Sequence, residues 1–365
     1  MSTKRLLPLL FVGEVALAAL AITGASATQY TIIDLGVFGG YEGRAIGIND
    51  SGQVVGYSDL SGGHTQHAFL WQSGSPMRDL GTLGGDSYAS SVNESGQVVG
   101  ASWIAGNGPP HAFLWQSGSP MQDLGTLGSN SFASGINDSG QVVGASWLTG
   151  SSSYHAFLWQ SGSPMQNLGT LGGTTSWADG INNSGQVVGY SDIPGVSAAH
   201  AFLWQNGSPM RDLGTLGGYA SEAYGINDSG QVAGDSDIPG VSAAHAFLWQ
   251  DGSPMQDLGS LGGNSFARSI NACGQVVGYS YLTGGRHYHA FLWQNGSPMQ
   301  DLGTLGGPTS IAYGINDSGW VVGQAQNSAG NYHAVLWQPI PEPTTLLALL
   351  CGLAGISRMA MRRKS

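Results

Sequence analysis

The sequence is poor in charged residues, which make up 9% of its 365 positions, whereas about 25% is usual for a globular protein. It also has only two cysteines, Cys273 in a predicted turn and Cys351 in an apolar segment near the C-terminus. These two positions are unsuited to a structural disulfide, so we expect none. A chain of this length can bury a large enough core without one.

Positive charge is particularly scarce, with 11 Lys and Arg against 22 Asp and Glu, and a net charge of −11. Six of the 11 basic residues lie in residues 1–27 and 344–365, so the region between is still more acidic. A negative surface repels phosphate backbones. The sequence therefore argues against a nucleic acid as partner.

Glycine, by contrast, is abundant, at 60 residues, and it punctuates seven near-identical repeats. Each repeat contains His-Ala-Phe-Leu-Trp or a close variant, with a spacing of 44 or 45 residues. The repeated histidines are His67, His111, His155, His200, His245, His289 and His333. A fixed period of this size indicates an array of supersecondary units that bury their apolar faces against one another.

Each repeat predicts four short strands and two hairpin turns. The first turn is Asn-Asp-Ser-Gly, as at Asn137, where we expect the Asn and Asp side chains to bond nearby backbone N–H groups. The second is a Gln-x-Gly-Ser-Pro segment, in which proline suits a turn. Four strands per repeat are typical of a propeller blade. We therefore predict an all-β fold, a seven-bladed β-propeller over residues 28–338.

The end repeats favour a closed ring over an open solenoid. An open stack needs capping repeats with a polar outer face, but the first and last repeats keep apolar residues such as Val54 and Val322. The array begins with an Asp34-Leu35-Gly36 strand and ends with the His333 strand. We expect these two strands to pair within one blade and to close the ring.

The N-terminus predicts a secretory signal peptide over residues 1–27. Lys4 and Arg5 precede an apolar segment, and an Ala25-Ser26-Ala27 cleavage site follows it. This order is typical of export through the Sec machinery, with cleavage after Ala27.

Residues 339–365 form a second targeting segment. Pro341, Glu342 and Pro343 precede a short apolar segment, residues 344–356, and then the basic residues Arg358, Arg362 and Arg363. The apolar segment is shorter than the ~20 residues that span a bilayer comfortably. The three parts resemble the PEP-CTERM sorting signal of Gram-negative bacteria. That resemblance implies recognition by an exosortase, transient membrane contact, and delivery to the cell surface or to a biofilm matrix.

The repeats themselves resemble the HAF extracellular repeat family. The likeness rests on His-Ala-Phe-Leu-Trp, on Asp-Leu-Gly-Thr-Leu-Gly-Gly, and on the Ile-Asn-Asp-Ser-Gly-Gln-Val-Val-Gly segment between them. It covers about residues 29–338 and implies a secreted bacterial repeat protein without established catalytic residues.

Two repeated side chains are candidate metal ligands. The seven histidines could form a ring of imidazole ligands, or each could bond a neighbouring loop. The repeated aspartates, such as Asp79 and Asp138, could serve Ca²⁺ or could form Asx turns. Neither pattern has the ligand spacing of a known metal motif, so we expect no cofactor and keep Ca²⁺ as the alternative.

The best binding candidates lie between the Val-Val-Gly strand and the His strand, where the repeats differ. The repeated tryptophan, as at Trp115, is better explained by packing between blades. We expect the variable segments to be loops clustered on one face, where binding sites usually occur. The candidates are Tyr57, Asp59, Trp103, Trp147, Tyr190, Asp192, Asp235, Asp237, Tyr279 and Tyr281.

No nucleophile elbow or metalloprotease motif is present in the sequence. We therefore expect a non-catalytic structural or binding component of the extracellular matrix, whose ligand is a carbohydrate or a protein. The alternative is a hydrolase acting on extracellular polysaccharide, because carboxylates from different blades could meet over the central channel.

Overall fold

A computed structural model describes residues 28–63, 65–106, 108–240, 243–294 and 296–340. These residues form seven four-stranded antiparallel sheets arranged in a ring, and none of them is helical. The predicted seven-bladed β-propeller is confirmed. The predicted signal peptide with Ala25 and Ala27, and the sorting segment from Pro341 onward, lie outside the described residues.

The strands follow one another blade by blade. A first strand, β1 (Tyr30–Gly36), precedes blade 1. Blades 1 to 3 are β2 (Gly39–Ile48), β3 (Val54–Leu60), β4 (Gln66–Trp71), β5 (Arg78–Asp79); β6 (Gly84–Val92), β7 (Val98–Ile104), β8 (Pro110–Trp115), β9 (Gln122–Asp123); and β10 (Gly128–Ile136), β11 (Val142–Leu148), β12 (Tyr154–Trp159), β13 (Gln166–Asn167).

Blades 4 to 7 repeat the same order. They are β14 (Ser176–Ile181), β15 (Val187–Asp192), β16 (Ala199–Trp204), β17 (Arg211–Asp212); β18 (Ser221–Ile226), β19 (Val232–Asp237), β20 (Ala244–Trp249), β21 (Gln256–Asp257); β22 (Gly262–Ile270), β23 (Val276–Leu282), β24 (Tyr288–Trp293), β25 (Gln300–Asp301); and β26 (Gly306–Ile315), β27 (Val321–Asn327), β28 (Tyr332–Pro339).

Within a blade the chain runs outward from the central channel. The inner strand turns at Asn-Asp-Ser-Gly into the second strand, which pairs with the third, and the third pairs with a short outer strand. The register of β6 against β7 shifts between Ala89 and Ser91. Near this bulge a Cβ on Gly100 would lie 1.9 Å from the Tyr88 carbonyl oxygen, so Val-Val-Gly needs its glycine.

The core lies between blades. Val55, Ala68 and Leu80 of blade 1 pack against Phe113 and Trp115 of blade 2, and the equivalent residues form similar clusters between the other blades. The repeated tryptophan is mostly buried in these clusters, which confirms its predicted packing role. Because each apolar face is covered only by a neighbouring blade, no blade can bury its core alone.

The ring closes as the sequence predicts. β1 is the outer strand of blade 7 and pairs antiparallel with β28, with Tyr30 opposite Pro339 and Ile33 opposite Leu336. This outer strand has six paired residues, whereas the outer strand of blade 2 has two. The strand pair that closes the ring is therefore longer than the corresponding pair in blade 2, where a turn connects the two strands covalently.

Candidate functional site

The ring has two faces with different sequence character. The Asn turns all lie on one face, where near-identical residues recur; we call it the Asn-turn face. Each inner strand runs toward its Asn turn, and each second strand runs away from it. The inner strands therefore start at the opposite face, and the second strands end there. The repeats differ mainly at this opposite end, which we call the variable face.

The seven histidines are held by side chains of the outer strands. In six blades the His Nδ1 lies 2.7 to 2.9 Å from an Asp carboxylate, as between His111 and Asp123. In blade 3 the partner is Asn167, at 3.0 Å. His333 bonds Asp34 across the closure. Each imidazole is therefore held through Nδ1 within its own blade, as the structural alternative expects.

The Asn side chains of the turns form a closed hydrogen-bonded ring around the channel, and the residues that follow them form a second series of bonds that is interrupted at Ala272 of blade 6. The Asn side chain does bond its own turn, with Gln141 N donating to Asn137 Oδ1 at 3.0 Å. The Asp side chain does not bond its own turn. Asp138 Oδ1 instead accepts a hydrogen bond from Glu94 N of the preceding blade, at 3.0 Å. The expectation of a local contact was wrong for the Asp, because its side chain reaches along the ring to the neighbouring turn.

These turn residues, with the Ile or Val before them, line a cavity of about 240 Å³ at the Asn-turn face. Its carboxylates accept backbone N–H groups, as when Asp317 N donates to Asp50 Oδ1 at 2.7 Å. Among the described residues, no group of three or more His, Cys, Asp or Glu is placed to hold a metal ion. The recurrence of the turn carboxylates is thus explained by contacts between blades.

The predicted binding residues all lie at the variable face, but in strands and not in loops. They occupy two register positions of the second strands, as Tyr57 and Asp59 do in β3. The prediction that these residues lie in loops was wrong. After Val-Val-Gly, three more residues of each second strand pair with the third strand. Tyr190, Asp235 and Tyr279 share the position of Tyr57; Trp103, Trp147, Asp192, Asp237 and Tyr281 share that of Asp59.

Three of the predicted acidic residues accept hydrogen bonds from backbone N–H groups at the rim of the variable face. Asp59 accepts from Glu42 N and from Gln66 Nε2. Asp192 accepts from Thr175 N at 3.1 Å, and Asp237 accepts from Ala220 N at 3.2 Å. These carboxylates fix the segment that leads into the inner strand and already have donors.

Sequence reasoning missed the inner strands, which contribute two further variable positions per blade. The position paired with the second strand holds Arg44, Tyr88, Phe132, Trp177, Glu222, Phe266 and Ile311. Two residues further along are Ile46, Ser90, Ser134, Asp179, Tyr224, Arg268 and Tyr313, which line the channel. Comparing the repeats with one another would have found both positions, since each differs from blade to blade beside an alanine that does not vary.

One side of the variable face is aromatic. Trp177 lies against Phe132 and Tyr154, with ring centroids 5.7 and 5.4 Å apart, and Trp147 lies 4.8 Å from Tyr154. A second cluster joins Tyr57, Tyr88 and Trp103 at 4.7 and 5.4 Å. All these rings are partly exposed. We call them the aromatic wall.

The other side, in blades 4 to 6, also has aromatic rings, such as Tyr279 and Tyr281, but it differs in its ionisable groups. The guanidinium of Arg268 lies 4.1 Å from the Tyr224 ring centroid and 5.4 Å from that of Tyr279. The Tyr224 hydroxyl donates to the Glu222 carboxylate. Among the described residues, no hydrogen-bond partner reaches the buried oxygens Asp179 Oδ2 and Asp235 Oδ1. We call Asp179, Glu222, Asp235 and Arg268 the polar cluster.

Burial changes the acidity of this cluster. Desolvation, reinforced by the charge of Glu222, raises the pKa of Asp179 to about 8. Desolvation is also the main cause that raises the pKa of Asp235 to about 7, with Arg268 acting in the opposite direction. Both shifts favour the protonated acid near neutral pH.

Two cavities adjoin the polar cluster. The central cavity, of about 320 Å³, is lined by Asp179, Tyr224 and Arg268, together with Ser90 and Ser134. A larger cavity, of about 740 Å³, lies between blades 4 and 5 and is lined by Tyr190, Asp192 and Glu222. The small serines of blades 2 and 3 leave space in the channel on the blade 3 side of Asp179.

No helix within the described residues has the length and apolar character needed to cross a membrane. No protein-family model matches the sequence, and no curated protein matches it. Among solved structures, the chain is similar to TolB from Acinetobacter baumannii, with a TM-score of 0.47, 11% identity, and coverage of 79% of each chain. It is also similar to a gluconolactonase from Xanthomonas campestris, with a TM-score of 0.44, 9% identity, and coverage of 86% of this chain and 90% of that one. At these values neither similarity bears on function.

Proposed function

We propose that the protein is an exported, non-catalytic β-propeller that binds extracellular polysaccharide through its variable face. The observation that carries this proposal is the aromatic wall, whose partly exposed rings lie beside polar groups at one mouth of the channel. Apolar surface with a few placed polar groups is typical of ligand sites. Two tyrosines in equivalent rim segments, Tyr41 and Tyr219, are 66% and 58% exposed and add stacking surface nearby.

Export and sorting form the second part of the proposal. It rests on the predicted Sec signal peptide and on the sorting segment that resembles an exosortase substrate. Its polysaccharide partner would then belong to the surface or matrix of a Gram-negative bacterium.

The position of the ends supports this arrangement. Ile340 N donates to Gln29 O at 2.7 Å, and the Tyr30 hydroxyl donates to Gly319 O in the last Asn turn. Residue 340 therefore lies at the Asn-turn face. Membrane contact through the segment after it would leave the variable face directed away from the membrane, toward the matrix.

Binding is tested with the purified full-length protein and polysaccharide from the bacterium that produces it. We expect the protein to be retained on immobilised polysaccharide, and Trp177→Ala to weaken binding roughly fivefold or more through lost stacking. Ile340→Ala, which truncates an exposed apolar residue on the Asn-turn face, is the matched control and should leave binding unchanged. Retention that is the same in all three proteins would refute the proposal.

A polysaccharide hydrolase is the second candidate, and the polar cluster is the observation that favours it. Asp179 and Glu222 lie on inner strands of adjacent blades, and the charge of Glu222 helps to keep Asp179 protonated. A protonated acid beside a carboxylate is the pair that glycoside hydrolysis uses. Size-exclusion analysis of the polysaccharide after incubation separates the two candidates: unchanged chain length supports binding alone, and shortening that Glu222→Gln abolishes supports the hydrolase.

A further inference from the structure

The polar cluster contains two hydrogen-bond acceptors that the described residues leave without donors. Asp179 Oδ2 and Asp235 Oδ1 are both buried, and no donor of the described chain reaches either oxygen. A buried acceptor left unpaired costs about 1–3 kcal/mol, and more when charged. Native proteins rarely keep such groups without a reason. A ligand that brings donors would remove this cost.

The charge of the cluster indicates what kind of donor fits. Three carboxylates, from Asp179, Glu222 and Asp235, lie around a single guanidinium, that of Arg268. Arg268 is itself held between Tyr224 and Tyr279. When ionised, the carboxylates exceed the local positive charge, and their mutual repulsion is relieved by a cation. The fitting group is therefore a cationic donor.

The cationic group would have to be small, and it would have to be a substituent of a ring. Asp179 faces the central cavity, where the small Ser134 of the adjacent blade 3 and Ser90 of blade 2 leave space for a substituent. Trp177 lies two residues before Asp179 on β14, about 7 Å away along the strand, and its indole is part of the aromatic wall. A sugar ring stacked on this wall could extend a substituent to Asp179.

We propose that the variable face binds a polymer of amino sugars with free ammonium groups, with the ammonium at Asp179, within reach of the charge of Glu222, and the sugar rings on the aromatic wall. This inference rests on the proposed carbohydrate-binding function. It narrows the ligand class from polysaccharides in general to those with primary amines. An N-acetylated or neutral polymer lacks the charge that the cluster requires.

The test compares a glucosamine tetramer with an N-acetylglucosamine tetramer, each titrated calorimetrically into the full-length protein at pH 7. We expect the free amine to bind at least tenfold more tightly. Asp179→Asn keeps the shape of the side chain but cannot ionise when an ammonium group binds beside it, so it should reduce this preference to about threefold or less. Glu222→Gln should reduce it in the same direction.

Asp138→Asn is the control variant. Asp138 lies on the Asn-turn face, and blade 4 already has Asn183 at the equivalent position, so the turn accepts the substitution. The preference for the amine should be unchanged in this variant.

The outcomes separate the two proposals. Equal affinity for the two tetramers overturns the amino-sugar inference but leaves polysaccharide binding in place. A preference that survives both Asp179→Asn and Glu222→Gln overturns the assignment to the polar cluster. Binding of neither tetramer, together with no retention on the producer's polysaccharide, overturns the proposed function as well.

Discussion

The aspartate of each Asp-Leu-Gly segment makes two hydrogen bonds at once. Asp123 accepts from His111 Nδ1 and from Gly125 N, at 2.8 Å in both cases. In blade 3, Asn167 makes both contacts through its single Oδ1, at 3.0 and 2.8 Å. The second carboxylate oxygen and its charge are therefore dispensable, and the oxygen acceptor is what the blade requires.

The first prediction compares two substitutions at this position. Asp123→Asn should change the free energy of unfolding by less than about 0.5 kcal/mol, whereas Asp123→Ala should lower it by about 1 kcal/mol, because both donors lose their acceptor. Urea denaturation measures the two values. An Asn variant as unstable as the Ala variant would show that charge, and not the acceptor, holds the histidine.

Asp179 illustrates the opposite situation, a residue that opposes folding. Its pKa is about 8 in the folded protein against 3.8 as the ordinary value. The folded state therefore binds an extra proton between these pH values. The contribution of Asp179 to stability is therefore most favourable below about pH 4, becomes less favourable as the pH rises toward 8, and changes no further above that. Asp235, with a pKa of about 7, contributes in the same direction.

The second prediction follows from this sign. Asp179→Asn cannot ionise, so at pH 8 it should be more stable than the wild type by at least about 1.4 kcal/mol, the equivalent of one pKa unit. At pH 5 the difference should become smaller. Thermal unfolding of both proteins at the two pH values measures it, with Asp138→Asn as the exposed control. A gain that is the same at both pH values would contradict the proposed ionisation penalty.

At the scale of strands, the repeated elements could be predicted and the variable ones could not. Asn-Asp-Ser-Gly and Val-Val-Gly mark the hairpins because their turn chemistry is local. The second strands are longer than Val-Val-Gly, since residues such as Tyr57 pair with the third strand through backbone groups whatever their side chain. A pattern of side chains does not reveal that extension.

The candidate site was predicted only in part for a related reason. Tyr190 and Asp235 stood out in the sequence, but Trp177, Asp179 and Arg268 did not. Asp179 of blade 4 and Arg268 of blade 6 meet at the channel, and Trp177 meets Phe132 of blade 3, only because the blades are arranged around a common axis. Their convergence depends on the tilt of whole blades, which no local spacing encodes.

The closing strand allows the third prediction, at the scale of elements. Deleting residues 28–36 removes β1, exposes the edge of β28, and uncovers apolar residues of two core clusters, including Val335 and Leu336. We expect the melting temperature to fall by more than 10 °C, or the ring to open. Removing Gly285 from an exposed hairpin tip should change it little, because these tips already differ between blades.

A synthetic peptide of residues 28–36 provides an independent measurement. Added to the truncated protein, it should pair with β28 and restore part of the lost stability. Equal melting temperatures for the two deletions, or no effect of the peptide, would contradict the role of β1 as the closure.

At the scale of the whole molecule, hydrogen bonds between the turn asparagines also depend on closure of the propeller ring. Each Asn side chain donates to the backbone carbonyl of the Asn in the next blade, as from Asn137 Nδ2 to Asn182 O at 3.1 Å. The last member, Asn316, donates to Asn49 O across 267 residues of sequence, also at 3.1 Å. The seven bonds therefore form an unbroken circle that an open array would interrupt at one place.

The fourth prediction concerns the bond from Asn316 to Asn49, which an open array would lack. Asn137→Ala should cost about 3 kcal/mol, because the buried side chain bonds Gln141 twice and the next blade once. Asn316→Ala should cost about 2 kcal/mol, since Trp320 replaces the glutamine and only its N–H bonds the Asn side chain. An open array would leave Asn316 without Asn49, and its loss would then cost less than about 1 kcal/mol. Chemical denaturation of the two variants thus distinguishes a ring from a rod by energy, and small-angle scattering distinguishes them by shape.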